Sequence, residues 1–275
     1  MPSGYRPIVR VVTFNILHGR SRERDEVDLG LYADAIASLD ADVLALQEVD
    51  RNQHRSGGAD LTAVAARAMG AAEHRFVAAL AGSPGATWTA ATGREQPDAA
   101  AYGIALLSRY PATSWEVVRL PVVPGPAPMR FHDRRWPTLV REEPRVAVAA
   151  TVDSPLGALT VATTHLSFLP WWNGHQLRAL TRSLRALPRP LLLTGDLNME
   201  VDRAARASRM TPLGEHQPTF PVEAPRRQLD HVLADGYRGR AIASVRRLPV
   251  SDHLALVVDL QEAAGDGRHA RISAA

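Results

Sequence analysis

Acidic, amide and imidazole side chains recur in this sequence at one kind of place, the end of an apolar or β-branched run. Asn15 follows IVRVVTF, Glu48 follows VLALQ, His165 follows ALTVATT, and Asp196 and Asn198 close LLLTGDLN. Asp230 lies within QLDHVLA, and Asp252 and His253 stand directly before LALVVDL. Such runs suit strands buried on both faces. A charge at the end of one is costly unless paired, hydrated or bound to metal, and strand ends with converging polar groups are where α/β enzymes place chemistry. Glu48, Asn15 and Asp252 offer hard oxygen ligands, few in number, which suits Mg2+, with Mn2+ as a substitute. Period-two geometry points Asp196 and Asn198 to the same side. Gly195-Asp196-Leu197-Asn198 is equally good turn chemistry, and the tetrapeptide alone does not choose between turn and site.

The elements that must position these groups follow from the same pattern. Residues 8–14, 43–47, 103–109, 228–234, 240–248 and 254–260 read as strands, and 145–152 with 158–164 as a hairpin around the turn-forming DSPLG. Leu29, Tyr32, Ile36 and Leu39 keep helical spacing, as do Leu61, Val64, Ala65, Ala68 and Met69. A further helix is expected over residues 174–187, with Leu177, Leu180, Leu184 and Leu187 on one face. Helices alternating with strands through short connections predict α/β layering. Residues 121–144 hold six prolines among Arg130, His132, Arg134, Arg135, Trp136 and Arg141, and form either a substrate-facing loop or a solvated excursion. Residues 1–262 are expected to form one domain, with 263–275 a disordered tail.

Composition sets outer limits. The chain of 275 residues is 45% hydrophobic and 22% charged, an ordinary globular balance. It has no cysteine, which excludes a disulfide framework, a thiol nucleophile and thiolate ligation of zinc. No leader-like segment opens it and no apolar run nears the ~20 residues of a membrane span, so a cytoplasmic location is expected. All 32 basic residues are arginine. Every phosphate contact must therefore come from a planar, bidentate guanidinium rather than an ammonium.

The ordered pieces TFN, LQEVD, GIALLSRYP, EPRVAVA, TTHLS, TGDLN, QLDHVL and SDHLAL resemble the endonuclease/exonuclease/phosphatase superfamily, in that family's order and over residues 12–260. The resemblance implies a four-layer α/β sandwich, two packed mixed β-sheets flanked by helices, with the site where loops of both sheets meet. It also implies a metal-dependent phosphoesterase in which Glu48 is the principal metal ligand and Asn15 and Asp252 contribute. His253 resembles the family's essential histidine, held by the Asp230 carboxylate. Asp196 resembles the residue that aligns or deprotonates the attacking water or handles the leaving-group proton, and Asn198 the one that binds a phosphate oxygen. His165 would donate a hydrogen bond to the phosphate.

Phosphate esters resist attack because their anionic oxygens repel nucleophiles, so a catalyst must neutralise those oxygens and activate water. Arg145 is read as structural, His231 as facing away from the chemistry, and His18 as open. The apolar residues 168–172 follow His165 at once and suggest a mouth that meets a lipid headgroup region or other apolar alcohol portion, through Phe168, Trp171 and Trp172. A small-molecule or lipid-headgroup phosphodiester is the favoured substrate, and DNA or RNA the alternative, for which the arginines of residues 119–145 and 226–247 could form a groove. A catalytically silent binding module on the same scaffold is the second class. A monomer is expected.

Overall fold

Apolar runs marked in the sequence as doubly buried become the middle strands of two sheets. In the computed structural model, which describes residues 7–24, 26–129, 138–140 and 142–262, the early strands are β1 (Ile8–Asn15), β2 (Val43–Arg51), β3 (Glu73–Gly82), β4 (Trp88–Ala90) and β5 (Ala101–Ser108). They are followed by β6 (Ala112–Arg119), β7 (Ala127–Met129), β8 (Thr138–Val140), β9 (Val146–Ser154) and β10 (Gly157–His165). The last are β11 (Leu191–Asp196), β12 (Thr211–Pro212), β13 (Asp230–Asp235), β14 (Arg240–Arg246) and β15 (Ala255–Gln261). Helices are α1 (Leu29–Ser38), α2 (Leu61–Met69), α3 (Pro170–Ser183) and α4 (Val201–Ser208).

One sheet has seven strands in the order β14-β15-β1-β2-β5-β3-β4, and the other six in the order β12-β13-β11-β10-β9-β6. Their inner faces pack Val9, Val11 and Val43 against Val148, Val161, Leu192 and Val232. The alternate residues of β1 and β2, including Val12, Phe14, Leu44 and Leu46, face Tyr32, Ile36, Leu61 and Met69 of α1 and α2. On the other side, Leu191 and Leu193 meet Leu177 and Leu180 of α3. With both faces covered, each fully buried leucine or valine contributes about 1.5–3 kcal/mol, which is why these strands read as unbroken apolar runs. The result is the expected four-layer sandwich.

Each sheet holds one central parallel pair joined by a crossover helix. β1 and β2 run parallel across α1, with Asn15 opposite Gln47, and β10 and β11 run parallel across α3, with His165 opposite Asp196. Parallel pairing requires such a crossover, and it brings both carboxyl-terminal strand ends to one rim.

Several expectations change. Helix α3 begins at Pro170 instead of residue 174, because proline fits the first helical position, and it ends at Ser183 before a 3-10 turn over Leu184–Ala186. Trp171 and Trp172 therefore stand on a first helical turn, not in a loop. α4, β3 and β6 were not expected; β6 is an edge strand whose mixed exposure hides its period. Within residues 121–144, β7 and β8 pair antiparallel, while Arg130, His132, Arg134, Arg135, Trp136 and Arg141 lie outside the described residues, as does the tail 263–275. No helix among the described residues is long and apolar enough to cross a membrane.

Candidate active site

The seven-stranded sheet contributes its part of the rim through departures from regular strand geometry. β2 is bulged against β5 between Gln47 and Val49, and Glu48 in that bulge has φ 57°. A left-handed conformation is uncommon for glutamate, and at a bulge it re-aims a side chain. Here the Glu48 carboxylate meets Asn15, whose Nδ2 donates to Glu48 Oε1 at 3.0 Å and to Asp196 Oδ2 at 3.1 Å. The Asn15 Oδ1 accepts from the Leu17 N–H at 3.1 Å, which fixes the amide orientation. Below them, Gln47 is buried and its Nε2 donates to Thr13 and Thr163, both at 3.1 Å, tying one sheet to the other.

The six-stranded sheet works through register. His165 pairs with Asp196, and Asp196 with Asp230, so three titratable groups sit side by side on adjacent strands. Asp196 Oδ1 accepts from the Asn198 N–H at 2.9 Å, and Asn198 has φ 51°. Asn198 thus reaches the site through an Asx turn and not by strand alternation, so the turn and site readings of Gly-Asp-Leu-Asn both hold. Its Nδ2 donates to Leu166 O at 3.0 Å and lies 3.2 Å from His165 Nε2, where that nitrogen accepts and the ring carries its proton on Nδ1.

The link between the two sides is His253, which precedes β15 of the seven-stranded sheet. Its Nδ1 bonds Asp230 Oδ2 at 2.8 Å, and its Nε2 lies 3.8 Å from Asp196 Oδ2. The ring packs on Phe220 with centroids 4.9 Å apart. Its backbone N–H donates to Ser251 Oγ at 3.0 Å, and that hydroxyl donates to Asn15 O at 2.6 Å.

Burial and neighbouring charge divide these groups by protonation state. Burial disfavours the charged form of His253, but Asp230 first, then Asp196 and Asp252, overcome it and push the pKa up to about 10. Burial and then the Asp230 carboxylate raise Asp196 to about 7. Burial also raises Glu48, against the Asn15 hydrogen bond. His165 is driven well down by burial, then by Arg145 and His253, and stays neutral.

The pattern of polar rim, two sheets and matched strand ends coincides with a known family. The model of the Endonuclease/Exonuclease/phosphatase family matches residues 12–253. The chain belongs to that family. It is similar in structure to an endonuclease/exonuclease/phosphatase from Beutenbergia cavernae, with TM-score 0.65 and 24% identity over 94% of this chain and 72% of that one. Sphingomyelinase C from Streptomyces griseocarneus aligns with TM-score 0.58 and 16% identity over 92% of this chain and 99% of that one. The human Nocturnin catalytic domain aligns with TM-score 0.57 and 19% identity over 93% and 95% of the two chains. No curated protein sequence matches this chain.

On this endonuclease/exonuclease/phosphatase scaffold, Asn15, Glu48, His165, Asp196, Asn198, Asp230 and His253 form one connected cluster. Asp252 is half-buried beside it, and its charge acts on both Glu48 and His253. Arg145 is buried and bonded to Glu142 Oε1 at 3.0 Å, a structural pairing that also lowers the His165 pKa. His231 turns away, its Nε2 bonded to Met199 O at 2.8 Å. His18 is left-handed at φ 47° and held near pKa 4 by burial and Arg55. Sequence reasoning missed Gln47, Ser251 and Phe220, and also Thr219, whose Oγ1 accepts from the Asp230 N–H at 3.3 Å. Gln47 was visible as a polar residue inside a buried run and Ser251 as the first residue of SDH; Thr219 and Phe220 carried no signal in an irregular arginine-rich stretch.

Asp196, Asp230 and His253 each offer one ligand atom, all within 4.8 Å of one another, so they could hold a metal ion. Buried Asp230 Oδ1 has no hydrogen-bond partner among the described residues. Asp196 and Asp230 flank one imidazole, and Glu48 is joined to Asp196 through Asn15; an excess of buried carboxylates over cations fits a divalent cation.

Proposed function

We propose that this chain is a Mg2+-dependent phosphoesterase that hydrolyses a phosphodiester, with Mn2+ able to substitute. The observation that carries the reading is the line from Asp230 through His253 to Asp196, with His253 Nδ1 2.8 Å from Asp230 Oδ2 and Nε2 3.8 Å from Asp196 Oδ2, and with Glu48 joined to Asp196 through Asn15. A bound cation would neutralise the phosphoryl oxygens and orient the ester. Glu48 is the principal residue that would hold it, with Asn15 orienting the Glu48 carboxylate and Asp252 alongside. Oxygen ligands suit Mg2+, whereas an imidazole suits other metals better, which favours leaving His253 on Asp230. Asp196 then accepts a proton from the attacking water while His253 Nε2 donates a hydrogen bond to a phosphoryl oxygen. As the new P–O bond forms, the bond from phosphorus to the alcohol oxygen breaks, and the leaving oxygen takes its proton from solvent water. Asn198 and neutral His165 complete the phosphate pocket.

The favoured substrate is a small-molecule or lipid-headgroup phosphodiester. Phe168, Leu169 and Trp172 pack with Val123 a few residues after His165, and Trp171, on the same first turn of α3 as Trp172 with ring centroids 5.7 Å apart, is 56% exposed. An exposed tryptophan over a packed apolar cluster suits a ligand with an apolar part. Sphingomyelinase C is among the structural neighbours. Nucleic acid remains the alternative substrate, and a silent phosphate-binding module the alternative class.

The test is hydrolysis of an aryl phosphodiester with Mg2+ or Mn2+, compared with EDTA and with Asp196→Ala. Turnover that needs both the metal and Asp196 supports the enzyme; turnover in neither condition leaves the silent module. For the substrate, Trp171→Ser should reduce hydrolysis of a lipid phosphodiester in vesicles and spare the soluble ester. Trp172 is a poorer choice because its indole Nε1 donates to Pro121 O at 3.2 Å.

A further inference from the structure

Far from the catalytic rim, a cleft of about 560 Å³ opens on the helix-covered face of the six-stranded sheet, between the second half of α3 and the end of α4. Its walls carry six guanidiniums, Arg178, Arg182, Arg185, Arg189, Arg206 and Arg209. The floor is Leu184, Leu191 and Met210, and the lining includes one carboxylate, Asp235. That carboxylate is taken, since Arg189 Nε donates to Asp235 Oδ2 at 2.7 Å. The other five arginines form no ion pair with a carboxylate among the described residues. Leu191 starts the strand that Asp196 ends, and Leu191 pairs with Asp235 as Asp196 pairs with Asp230, so β11 and β13 run from the cleft to the catalytic acids. Five residues of strand separate the two by roughly 16 Å at about 3.3 Å per residue.

We propose that this cleft is a second anion site, which takes a compact ligand bearing several phosphoryl groups. Arginine decorates every surface of a lysine-free chain, and one cation in a last helical turn is stabilising by itself. Neither explains six guanidiniums converging on one concavity with a single carboxylate among them. Like charges lining one cleft repel, and a multivalent anion relieves the repulsion while accepting planar, bidentate hydrogen bonds. Three positions are set by local geometry: Arg178 and Arg182 lie one turn apart on α3, and Arg209 takes the left-handed position that ends α4, with φ 61°. The volume falls in the range of small-molecule pockets, about 300–1,000 Å³, and a concave site favours a compact anion over a flat membrane or a duplex.

The test is calorimetric titration of the full chain with inorganic tripolyphosphate in EDTA, so that metal-dependent binding at the catalytic rim is suppressed. One equivalent should bind, and Arg182→Gln with Arg206→Gln should weaken it about tenfold or more, while turnover of a soluble aryl phosphodiester is unchanged. Hydrogen exchange should slow at residues 178–189 and 206–209 and not at 196–198. If the double variant fails to fold, Arg178→Gln, at an exposed position on α3, should weaken binding in the same direction. Absence of saturable binding below ~1 mM, undiminished affinity in the arginine variants, loss of binding in Asn198→Ala instead, or binding of single-stranded oligonucleotide but not tripolyphosphate would each overturn the proposal.

Discussion

On the seven-stranded side of the rim the carboxylate is Glu48, reached through a left-handed residue in a bulge and steadied by Asn15. On the six-stranded side Asp196 and Asp230 are placed by strand register, with His165 beside them. His253 comes from the first side and bonds the second, so the line from Asp230 through His253 to Asp196 exists only when the sheets are packed. On the proposed reading the contrast separates two tasks: the bulge would isolate an oxygen ligand able to reorient toward a cation, while register holds Asp196 and Asp230 at fixed spacing.

Removing the register-placed base should do most damage. Asp196→Asn is expected to lower kcat on an aryl phosphodiester on the order of 10³-fold, with no rescue by added metal. Its melting temperature should hold or rise, because a buried carboxylate beside Asp230 is relieved. A loss below tenfold would break the comparison. Glu48→Gln should cost about 10²-fold in kcat/KM and recover in part at high Mn2+ or Mg2+, as a ligand defect does. Equal behaviour of the two variants in a metal titration would show that the rim does not divide as argued.

The pH profile sharpens the same division. Activity should fall as pH drops through about 7, where Asp196 gains a proton, and fall again as pH rises through about 10, where His253 loses one. In Asp230→Asn the alkaline limit should move down toward 6.5, the ordinary value for histidine. The raised His253 pKa also links to stability: its contribution is complete below 6.5 and is lost as pH climbs toward 10. Thermal melts from pH 6 to 10 in wild type and Asp230→Asn should therefore converge at the alkaline end.

The smallest expected effect tests what lies beneath both sides. Gln47→Leu removes the donor shared by Thr13 and Thr163 and should cost about 1–3 kcal/mol in denaturant unfolding. Activity per folded molecule should change little, since no catalytic group bonds to Gln47 directly.

Much of this site was legible beforehand because a doubly buried strand is an apolar run, and a polar residue closing it is conspicuous. Asn15, Glu48, His165 and Asp196 all stand out that way. The bulge at Glu48 was not legible, since a left-handed glutamate follows from pairing with β5 and has no local signature. Helix α3 was placed too late because its first turn is Pro-Trp-Trp, apolar on a face that packs with Val123 and Leu169. The arginine cleft was invisible because α4 sits in a stretch that looks irregular, and only its packing against α3 brings Arg206 toward Arg182.

The sequence by itself determined the central strands, their polar ends and the family, since apolar runs, turn residues and motif order are local properties of the chain, while β3 and the edge strand β6 escaped it. Only the tertiary structure decided that Asp230 holds His253 across two sheets, which carboxyl group is raised and which imidazole stays neutral, and that six arginines share one hollow. Those outcomes depend on separations between residues far apart in the chain and on how deeply each charge is buried, and Coulomb energy and desolvation are set by that three-dimensional distance and depth.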